Sequence, residues 1–390
     1  MGRELGGSHF SSRGLIRALD RARYQPVLIF QHLEGPVFDH FRNEAVEMVA
    51  SPLVAEFEPG RPFGAGAAMR ALTGARALGE FLRRLKVDIV HCNDGRTNAV
   101  WSVPAKLAGA KLIWHNRGNP EARGLRYAAP FLPDRVISVS EFASPKGGVI
   151  SAAKKNEVIY SPFDVTLRVD REAARARLAR ELGVSHGVKF VGYFGLLIDR
   201  KRPLLFVETI AELRRAAPET PVAGLFFGEA YEGLADRARA LAARLGIEDS
   251  IRFMGFRSPG AEWIAACDVL LVTAIDEPFG RTLIEAMIVG TPVVATAAGG
   301  NLEAIDDGKT GLLAEPENPK ALAAAVARLL HETALGQAIA AAAQAEACAK
   351  FGEDRHVASV MRIYDTVLGL NGDAKYSGSA EPGEKRETKH

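Results

Sequence analysis

Short apolar runs alternate with amphipathic stretches along most of the chain, and this alternation restricts the fold more than any other feature of the sequence. Helical patterns such as Gly64–Leu85 and Arg96–Leu107 separate the apolar runs of the first half. Strands and helices in regular alternation predict a parallel sheet that is covered by helices. The four strands predicted for this half are Pro26–Gln31, Val87–His91, Lys111–His115 and Arg135–Ser140.

The same alternation begins again after about residue 165. Helical patterns such as Arg202–Ala216 and Gly233–Leu245 lie between further apolar runs, which predict buried strands. A chain of 390 residues also exceeds what one ordinary core accommodates. We therefore expect two doubly wound α/β domains, joined near Ser161–Asp170. The five strands predicted for the second domain are Val188–Gly192, Val222–Phe227, Ser250–Met254, Val269–Thr273 and Pro292–Thr296.

The N-terminus lacks an element that such a domain needs. Gly6-Gly7-Ser8 precedes a helical pattern at Ser11–Arg21, and in a doubly wound domain a turn of this kind follows a hydrophobic first strand. Only Met1–Leu5 comes before it, and its polar residues do not suit a buried central strand. We expect an N-terminal sheet without its first strand, either because the start is placed too late or because the strand is replaced.

The composition excludes several classes of protein. With 47% hydrophobic and 25% charged residues the chain is typical of folded soluble proteins. No run of about 18 apolar residues predicts a membrane span, and Met1–Phe10 lacks the apolar core of a signal peptide. The net charge of +2 is too weak to predict nucleic-acid binding. Cys92, Cys267 and Cys348 form no CxxC pair, so we expect no disulfide framework, no zinc site and a cytoplasmic location.

The segment Asp276–Met287 carries most of the chemical information. It follows the predicted strand Val269–Thr273 and passes through a turn with a glycine into a helix. The first backbone N–H groups of a helix, here those of Gly280–Leu283, lack partners within the helix and favour an anion such as a phosphate. Glu277 precedes the helix and Glu285 lies within it. A carboxylate that accepts two hydrogen bonds suits the vicinal hydroxyls of a ribose or a hexose.

The residues that follow extend this pattern through Val289–Thr296, Gly299–Glu303 and Asp307–Leu313. Together with the Glu277 and Glu285 pair, this run resembles the retaining nucleotide-sugar glycosyltransferases of family 4, which carry two glutamates separated by seven residues. The resemblance extends from about Val188 to Leu330 and is consistent over the N-terminal half. It implies the GT-B architecture, in which two Rossmann-like doubly wound domains face each other across a cleft.

The resemblance also implies how the chain divides. Residues 1–165 would form an N-terminal domain that binds the acceptor, and residues 166–350 a C-terminal domain that binds the nucleotide sugar. The helical pattern His356–Leu368, within residues 351–370, would cross back to the N-terminal domain. Residues 371–390 are polar and nearly free of apolar side chains, so we expect this tail to be disordered.

In the C-terminal half the resemblance assigns roles to single residues. Glu285 matches the glutamate that binds the ribose hydroxyls of the donor, and Glu277 matches the one that contacts the transferred sugar. Lys201 matches the lysine that pairs with the donor phosphates. Leu196 stands where the family has an arginine, and Arg200 is the candidate that supplies the missing positive charge. The alternative interpretation is that Arg200 belongs to a solvated basic turn. The other donor-binding candidates are Gly195, Gly280, Arg281, Thr282, Leu283 and, near the nucleobase, Met254.

In the N-terminal half the candidates lie where predicted strands end, and open parallel sheets gather their ligands at such positions. His115 matches a histidine that many relatives place beside the reacting sugar, whereas a histidine satisfied by the backbone is the alternative. His91 and Arg117 are candidates for contacts near the diphosphate or the acceptor. Gly6 and Gly7 resemble the glycine loop near the diphosphate, where small residues let the backbone approach a ligand closely.

The pattern Gly64–Leu85 has two interpretations. Its apolar side would cover the sheet while Arg70, Arg76, Arg83 and Arg84 point into water, or the helix would rest on an anionic membrane surface. Some members of the family act on lipid-linked acceptors, so the resemblance keeps peripheral contact with a membrane as an alternative.

These expectations combine into a retaining glycosyltransferase of the hexosyltransferase type. It would move a sugar from a nucleoside-diphosphate sugar to a hydroxyl of a glycan or a lipid-linked saccharide, in polysaccharide or lipopolysaccharide biosynthesis, with no metal and no cofactor. A non-catalytic protein that binds nucleotide sugars or glycans is one alternative, because the first strand is absent and Leu196 replaces an arginine. A nucleotide-sugar epimerase on the same fold is another. The base, the sugar, the acceptor and the oligomeric state stay open.

Overall fold

The computed structural model describes residues 5–53, 65–185 and 187–370, and for residues 65–73 it describes the backbone alone. Two parallel α/β units follow each other along these residues, as the alternating pattern predicts. The polar tail at residues 371–390 lies outside the described residues.

The N-terminal unit contains two parallel sheets. One consists of β1 (Val27–Phe30) and β2 (Glu47–Ala50), and the other has the order β3 (Ile89–Cys92), β4 (Lys111–Asn116), β5 (Arg135–Ser138) and β6 (Asn156–Val158). Its helices are α1 (Gly7–Ala18), α2 (Pro36–Phe41), α3 (Ala65–Arg84) and α4 (Gly95–Ala108). The sequence analysis missed β2 and β6, because their residues are partly or fully exposed and form no apolar run.

The start of this unit differs from the prediction in one respect. Among the described residues only Leu5 and Gly6 precede α1, and β1 is not paired with β3. However, α1 begins at Gly7 and not at Ser11. The Gly6 amide donates to His9 Nδ1 at 3.0 Å, and the His9 amide donates to the Gly6 carbonyl at 2.9 Å. This reciprocal cap starts the helix one turn earlier, and the extended backbone at Leu19 ends it before Arg21.

The C-terminal unit is a single six-stranded parallel sheet. Its order is β12-β11-β10-β7-β8-β9, with the strands β7 (Lys189–Phe194), β8 (Val222–Phe227), β9 (Ile251–Gly255), β10 (Val269–Val272), β11 (Val293–Thr296) and β12 (Leu312–Ala314). Every residue of β8 is buried, as expected for a strand with helices on both faces of its sheet. The sequence predicted five strands here and missed the sixth, β12, because this strand has only three residues.

Nine helices surround this sheet or connect it to the N-terminal unit within the described residues. They are α5 (Arg171–Leu182), α6 (Pro203–Ala216), α7 (Leu234–Arg244), α8 (Gly260–Ala266), α9 (Arg281–Val289), α10 (Asn301–Ala304), α11 (Pro319–His331), α12 (Thr333–Lys350) and α13 (Glu353–Leu368).

The two units meet in two apolar clusters. The helix α13 returns to the N-terminal unit, where Val357 and Val360 pack with Leu15 of α1 and Ile113 of β4. Closer to the join, four aromatic rings pack together with centroid distances between 5.3 and 6.4 Å. These rings belong to Tyr160, Phe163, Phe279 and Phe351, and the Phe163 amide also donates to the Phe351 carbonyl at 2.9 Å.

The helix α3 covers the N-terminal sheet with its apolar side. Leu78 and Leu82 are buried, whereas Arg76, Arg83 and Arg84 are exposed. Leu78 and Leu82 therefore pack inward, and the three arginines lie on the outer face. Across the described residues, no helix combines the length and the apolar character that a membrane crossing requires.

Candidate active site

The strand order of the C-terminal sheet predicts where a ligand binds. The chain leaves β7 toward β8 on one side, and β10 lies on the other side of β7. Ligands of such sheets bind at this switch point, beyond the carboxyl ends of the two central strands. A pocket opens there, and its lining residues are Tyr193, Phe194, Lys201, Leu271, Val272, Thr273, Ala274, Glu277, Gly280 and Thr282.

Glu277 is the charged centre of this pocket. It lies in the turn between β10 and α9, and its residue surface is only 9% exposed. One carboxylate oxygen, Oε2, receives Lys201 Nζ at 3.0 Å and Arg200 Nη1 at 3.1 Å. The structure thus joins three of the predicted site residues, and it gives Arg200 a charged partner in place of the solvated basic turn.

Electrostatics keep Glu277 ionised. Burial raises the pKa of its carboxyl, but the charges of Lys201 and Arg200 lower it by more, so the pKa lies below the ordinary value. The carboxylate is therefore an acceptor of hydrogen bonds at neutral pH, and each cation is held beside it.

The turn that carries the two cations is fixed to the adjacent strand. A single 3-10 turn at Asp199–Lys201 follows β7. The Thr273 hydroxyl donates to the Lys201 carbonyl at 2.8 Å, and the Ile275 amide donates to the Arg200 carbonyl at 3.2 Å. Gly195 makes room for the lysine, because a Cβ at this residue would lie 2.9 Å from Lys201 Nζ and its φ is +136°.

The N-terminus of α9 faces the same pocket through Gly280 and Thr282. Among the described residues, the amides of Gly280, Arg281 and Thr282 donate to no backbone carbonyl. The expectation of an unpaired amide was wrong for Leu283 alone, since its amide donates to the Gly280 carbonyl at 3.0 Å. Three amides therefore stay available for an anion, and the fourth closes a tight first turn.

The side chain of Arg281 points toward the N-terminal unit. Its Nη1 donates to Ser11 Oγ of α1 at 2.9 Å, and its guanidinium lies 4.2 Å from the centre of the Phe163 ring. Its Nη2 lies 3.6 Å from Glu285, one turn further along α9. Burial raises the pKa of Glu285, and Arg281 offsets part of that effect.

Gly300 supports the turn that holds Glu277. The Gly300 amide donates to the Glu277 carbonyl at 2.8 Å, and a Cβ at Gly300 would lie 2.5 Å from the Pro278 carbonyl oxygen. Only a residue without a side chain fits this approach. Ser140, from the loop after β5, donates to the same Pro278 carbonyl at 2.5 Å. Both units therefore hold the turn in place.

Two candidates lie apart from this group. Leu196 is 42% exposed and carries no charge, so the cations beside Glu277 are Lys201, which lines the pocket, and Arg200. Met254 lies on β9 at the edge of the sheet and packs against the buried cluster around Trp263. It does not line the pocket around Glu277.

A second group lies at the strand ends of the N-terminal sheet. His91 Nε2 lies 3.2 Å from His115 Nδ1, and Arg117 Nη2 lies 3.2 Å from the same nitrogen. Burial lowers the pKa of His91 to about 3 and holds that of His115 well below its ordinary value. Burial also lowers the pKa of Arg117 to about 9, and the nearby charge of Arg281 acts in the same direction. Arg117 donates to Ser161 Oγ at 3.1 Å and Arg281 donates to the carbonyl of the next residue, Pro162, at 3.3 Å, so the second group lies close to the start of α9.

The predicted glycine loop at Gly6 and Gly7 lies against the facing unit. The Gly6 amide is used by His9, as described above. Gly7 lies against α9, because a Cβ there would be 2.8 Å from Arg281 Cδ. The close approach at Gly7 thus accommodates an arginine side chain of the facing unit.

Sequence reasoning missed four further residues near these groups. Tyr193 lines the pocket and donates to the Leu196 carbonyl at 3.0 Å. Its place at the carboxyl end of β7 is a signal that could have identified it. Glu303 of α10 accepts the amides of Glu141 and Phe142 from the N-terminal unit, at 2.8 and 2.6 Å. The other two, His356 and Tyr364, lie on α13, where the sequence shows only an amphipathic pattern.

The arrangement has a definite chemical capacity. Two cations and three helix amides can bind an anion of two negative charges or more, and the carboxylates of Glu277 and Glu285 can accept hydrogen bonds from hydroxyls. Within the described residues, no three His, Cys, Asp or Glu side chains form a group that could hold a metal ion.

Comparison with protein families gives two matches that together cover most of the chain. The model of glycosyl transferases group 1 matches residues 174–346, and that of the glycosyl transferase 4-like domain matches residues 6–143. The first match contains the pocket around Glu277, and the second contains His91, His115 and Arg117.

Two curated relatives and two crystal structures are similar to the chain. A D-inositol 3-phosphate glycosyltransferase of Salinispora arenicola is 28% identical over 369 residues, which are 85% of this chain and 79% of that protein. One of Corynebacterium efficiens is 36% identical over 281 residues, or 65% of this chain and 66% of that protein. Anabaena Alr3699/HepE, in complex with UDP and glucose, has a TM-score of 0.76 at 23% identity and covers 94% of this chain and 98% of its own. Sucrose-phosphate synthase of Thermosynechococcus elongatus has a TM-score of 0.73 at 20% identity, with 94% of each chain covered. The fold is therefore that of GT-B glycosyltransferases.

Proposed function

The chain belongs to the group 1 glycosyl transferases, and from this premise we propose that it is a retaining enzyme that transfers a hexosyl unit from a nucleoside-diphosphate sugar to a hydroxyl group. The observation that carries the proposal is the convergence of Lys201, Arg200 and the start of α9 on Glu277 at the switch point of the sheet. The negative charge of a diphosphate is complementary to these cations and helix amides, and the hydroxyls of an adjacent sugar can donate hydrogen bonds to the Glu277 carboxylate.

Each group has a proposed part in binding the donor. Lys201, Arg200 and the amides of Gly280, Arg281 and Thr282 bind the diphosphate. Glu285 accepts hydrogen bonds from the ribose hydroxyls, and its raised pKa falls again when these donors reach it. Glu277 binds hydroxyls of the transferred sugar. In the structure Glu277 neutralises the charges of Lys201 and Arg200. When the donor binds, its diphosphate replaces Glu277 as the anion that neutralises these two cations.

The proposed chemistry places the positive charge where the leaving group develops negative charge. As the glycosidic bond breaks, the leaving diphosphate gains negative charge beside Lys201 and Arg200, and the sugar becomes oxocarbenium-like. The acceptor hydroxyl attacks from the same face, and a diphosphate oxygen takes its proton, so the anomeric configuration is kept. In many enzymes, hydrogen-bond donors and charges that are already oriented toward the developing charge make the largest single contribution to lowering the activation barrier.

We propose that neither a metal ion nor a cofactor takes part. The positive charge that a metal would supply to the diphosphate comes from Lys201, Arg200 and the N-terminus of α9. Excess chelator should leave turnover unchanged, whereas a loss that is restored by a divalent cation would refute this part.

The acceptor is proposed to bind on the side of the N-terminal unit, near His115 and Arg117. A glycan or a lipid-linked saccharide is the expected class, and the curated relatives named after D-inositol 3-phosphate make a polyol phosphate the first small acceptor to test. We place the reaction in the cytoplasm, since Cys92, Cys267 and Cys348 are unpaired thiols. Contact with an anionic membrane would use the exposed Arg76, Arg83 and Arg84 of α3.

A thermal-shift screen against UDP, GDP, ADP and their sugars tests the donor site. The Anabaena structure contains UDP, so uridine nucleotides come first. Binding to the folded state raises the melting temperature. We expect a shift with one nucleotide family that Glu285→Ala abolishes. Glu332→Ala is the matched control, because Arg328 and Glu332 form the same i,i+4 pair at 3.5 Å as Arg281 and Glu285 at 3.6 Å.

The outcomes separate the candidate functions. No shift with any nucleotide in a folded sample would contradict the donor site. Binding without turnover over a broad panel of acceptors would support a non-catalytic binding protein, and conversion of the donor sugar without an acceptor would support an epimerase. Transfer with the anomeric configuration of the donor in the product, read by NMR, supports the retaining enzyme.

A further inference from the structure

A row of polar side chains connects α13 with the strand ends of the N-terminal sheet. The Tyr364 hydroxyl lies 2.6 Å from His91 Nδ1, and His91 Nε2 lies 3.2 Å from His115 Nδ1. Arg117 Nη2 lies 3.2 Å from the same His115 nitrogen. The other ring nitrogen of His115, Nε2, is buried and has no partner among the described residues.

Arg117 decides which nitrogen of His115 carries the proton. A guanidinium group only donates hydrogen bonds, so the His115 Nδ1 that faces it must accept. A neutral imidazole has one N–H, and the proton of His115 therefore lies on Nε2. The opposite tautomer would place two N–H donors 3.2 Å apart, at His115 Nδ1 and Arg117 Nη2.

The same argument fixes His91 and Tyr364. Because His115 Nδ1 carries no proton, His91 must donate to it from Nε2. Its Nδ1 is then an acceptor, and the Tyr364 hydroxyl donates to it. The hydrogen bonds thus run in one direction, from Tyr364 through His91 to His115. Every other assignment opposes two donors or two lone pairs at one of these contacts.

Burial keeps both rings neutral. It lowers the pKa of His91 to about 3, and it lowers the pKa of His115 well below its usual range, while the charge of Arg117 acts in the same direction. A doubly protonated His115 would again place an N–H at Nδ1, against Arg117. Near neutral pH the ring is therefore a single donor at Nε2.

We propose that Arg117 and the Tyr364–His91 pair are positioning residues that hold His115 in the Nε2–H tautomer, so that its buried Nε2 is a hydrogen-bond donor and not a base when the reacting sugar or the acceptor reaches it. The role toward the sugar rests on the proposed function, whereas the tautomer does not. It gives Arg117 a different task from the acceptor contact predicted from the sequence, and it gives the returning helix α13 a part in the site.

His356 supplies an internal reference for this assignment. Its Nδ1 lies 2.7 Å from the Tyr160 carbonyl oxygen, so Nδ1 must donate and Nε2 must be the bare nitrogen. Its ring stacks with that of His115 at a centroid distance of 5.9 Å and an angle of 18°. Two stacked, buried histidines are therefore expected in opposite tautomers within one protein.

Long-range proton–nitrogen NMR of the full chain, labelled with 15N at histidine, tests the tautomers. His115→Gln and His356→Gln assign the two rings by loss of their signals. The expected result is a protonated Nε2 for His115 and a protonated Nδ1 for His356. A His115 signal with the proton on Nδ1, or with both nitrogens protonated at pH 7, would overturn the proposal whether or not the enzyme turns over.

Paired substitutions test whether these residues set the tautomer. In a Tyr364→Phe background, Arg117→Gln keeps an N–H donor at residue 117, and Arg117→Met removes it, while both remove the charge. We expect the Gln variant to keep Nε2–H and the Met variant to show both tautomers. The same tautomer in both variants would contradict a positioning role. If the Met variant fails to fold, the Gln variant and the unsubstituted protein still decide the assignment.

Turnover adds a second readout. The loss of one aligned hydrogen bond is expected to lower kcat about fivefold to tenfold. This loss should appear in the Met variant relative to the Gln variant, together with the change of tautomer in the NMR spectrum. Equal kcat in the two variants despite a changed tautomer, or a lower kcat with the tautomer unchanged, would refute the positioning role. No turnover in the unsubstituted protein would count against the proposed function alone.

Discussion

Replacing Glu277 by Gln should move nucleotide affinity and turnover in opposite directions. The substitution removes the negative charge but keeps the size of the side chain. In the free protein this carboxylate neutralises Lys201 at 3.0 Å and Arg200 at 3.1 Å. Without it both cations are free to bind the diphosphate, while the transferred sugar loses an ionised acceptor for its hydroxyls.

The expected magnitudes follow from burial and geometry. Removing one partner of a buried ion pair costs about 3–5 kcal/mol. Arg200 is 42% exposed at its side chain and can turn into water, whereas Lys201 is only 18% exposed. We therefore expect a loss of about 2–3 kcal/mol in the free energy of unfolding. In a unit of this size each kcal/mol corresponds to roughly 2–4 °C in Tm, so the melting temperature should fall by about 5–10 °C.

Binding and turnover are measured on the same variant. A charge-assisted hydrogen bond contributes about 1.5–3 kcal/mol, so the nucleoside diphosphate should bind about tenfold more tightly, by calorimetry. The nucleotide sugar should gain less, because its sugar loses a contact, and kcat should fall by about a hundredfold or more. Glu317→Gln is the control, since Glu317 pairs with Arg202 at 2.6 Å on the exposed side of the same turn.

One result would refute the reasoning. If Glu277→Gln weakened the diphosphate and the nucleotide sugar alike, the carboxylate would not compete with phosphate for the two cations. Unchanged Tm in a folded sample would show that the ion pairs contribute nothing in the free protein. A fall in Tm or a change in affinity of the same size in the Glu317→Gln control would assign the effect to the turn and not to the pocket.

Three further predictions rest on the same contacts. Gly195→Ala should weaken donor binding about tenfold, because the new Cβ displaces Lys201. The control Gly246→Ala, at a φ of +66° with open space around it, should lower stability by about 1 kcal/mol and leave donor binding unchanged. Equal donor affinity in both variants would contradict this prediction. Phe351→Ala should lower the free energy of unfolding by about 3–5 kcal/mol in denaturant titrations, because its ring is 2% exposed and joins the two units; a loss under 1 kcal/mol would show that the units stay joined without it. The pKa of Glu277 is lowered in the folded state, so its contribution to stability is present above the ordinary glutamate pKa of about 4 and disappears as the pH falls through the lower value. The stability difference between the protein and Glu277→Gln should therefore be constant from about pH 8 to pH 5 and shrink below pH 4, and a difference that shrinks above pH 5 would contradict it.

Local sequence predicted the parts of the site that lie close together along the chain. The turn before α9, the spacing of Glu277 and Glu285 and the glycine at residue 280 all follow from one short segment. The long strands were predicted for a similar reason, because continuous apolar runs indicate buried parallel strands. The strands β2, β6 and β12 were missed because they are short or partly exposed, and tertiary pairing forms them more than their own composition does.

Contacts between distant residues could not be read in this way. Arg200 and Glu277 are 77 positions apart, and His91 and Tyr364 are 273 apart. Nothing in a single sequence states that Arg281 donates to Ser11 of the facing unit, or that the Leu283 amide is used within its own turn. The role of Arg117 illustrates the limit, since its residue type predicts a charge near a ligand, whereas its position makes it a donor to a histidine.

The sequence by itself determined the class of fold and the chemical groups that are available, because hydrophobic periodicity and residue type are local properties. It placed two cations, two histidines and Glu277 near the ends of predicted strands, and Glu285 within the helix that follows Glu277. Only the tertiary structure decided which of them are paired, which are buried and which nitrogen of His115 carries a proton. These outcomes depend on distances and desolvation across elements that the chain brings together only when it folds.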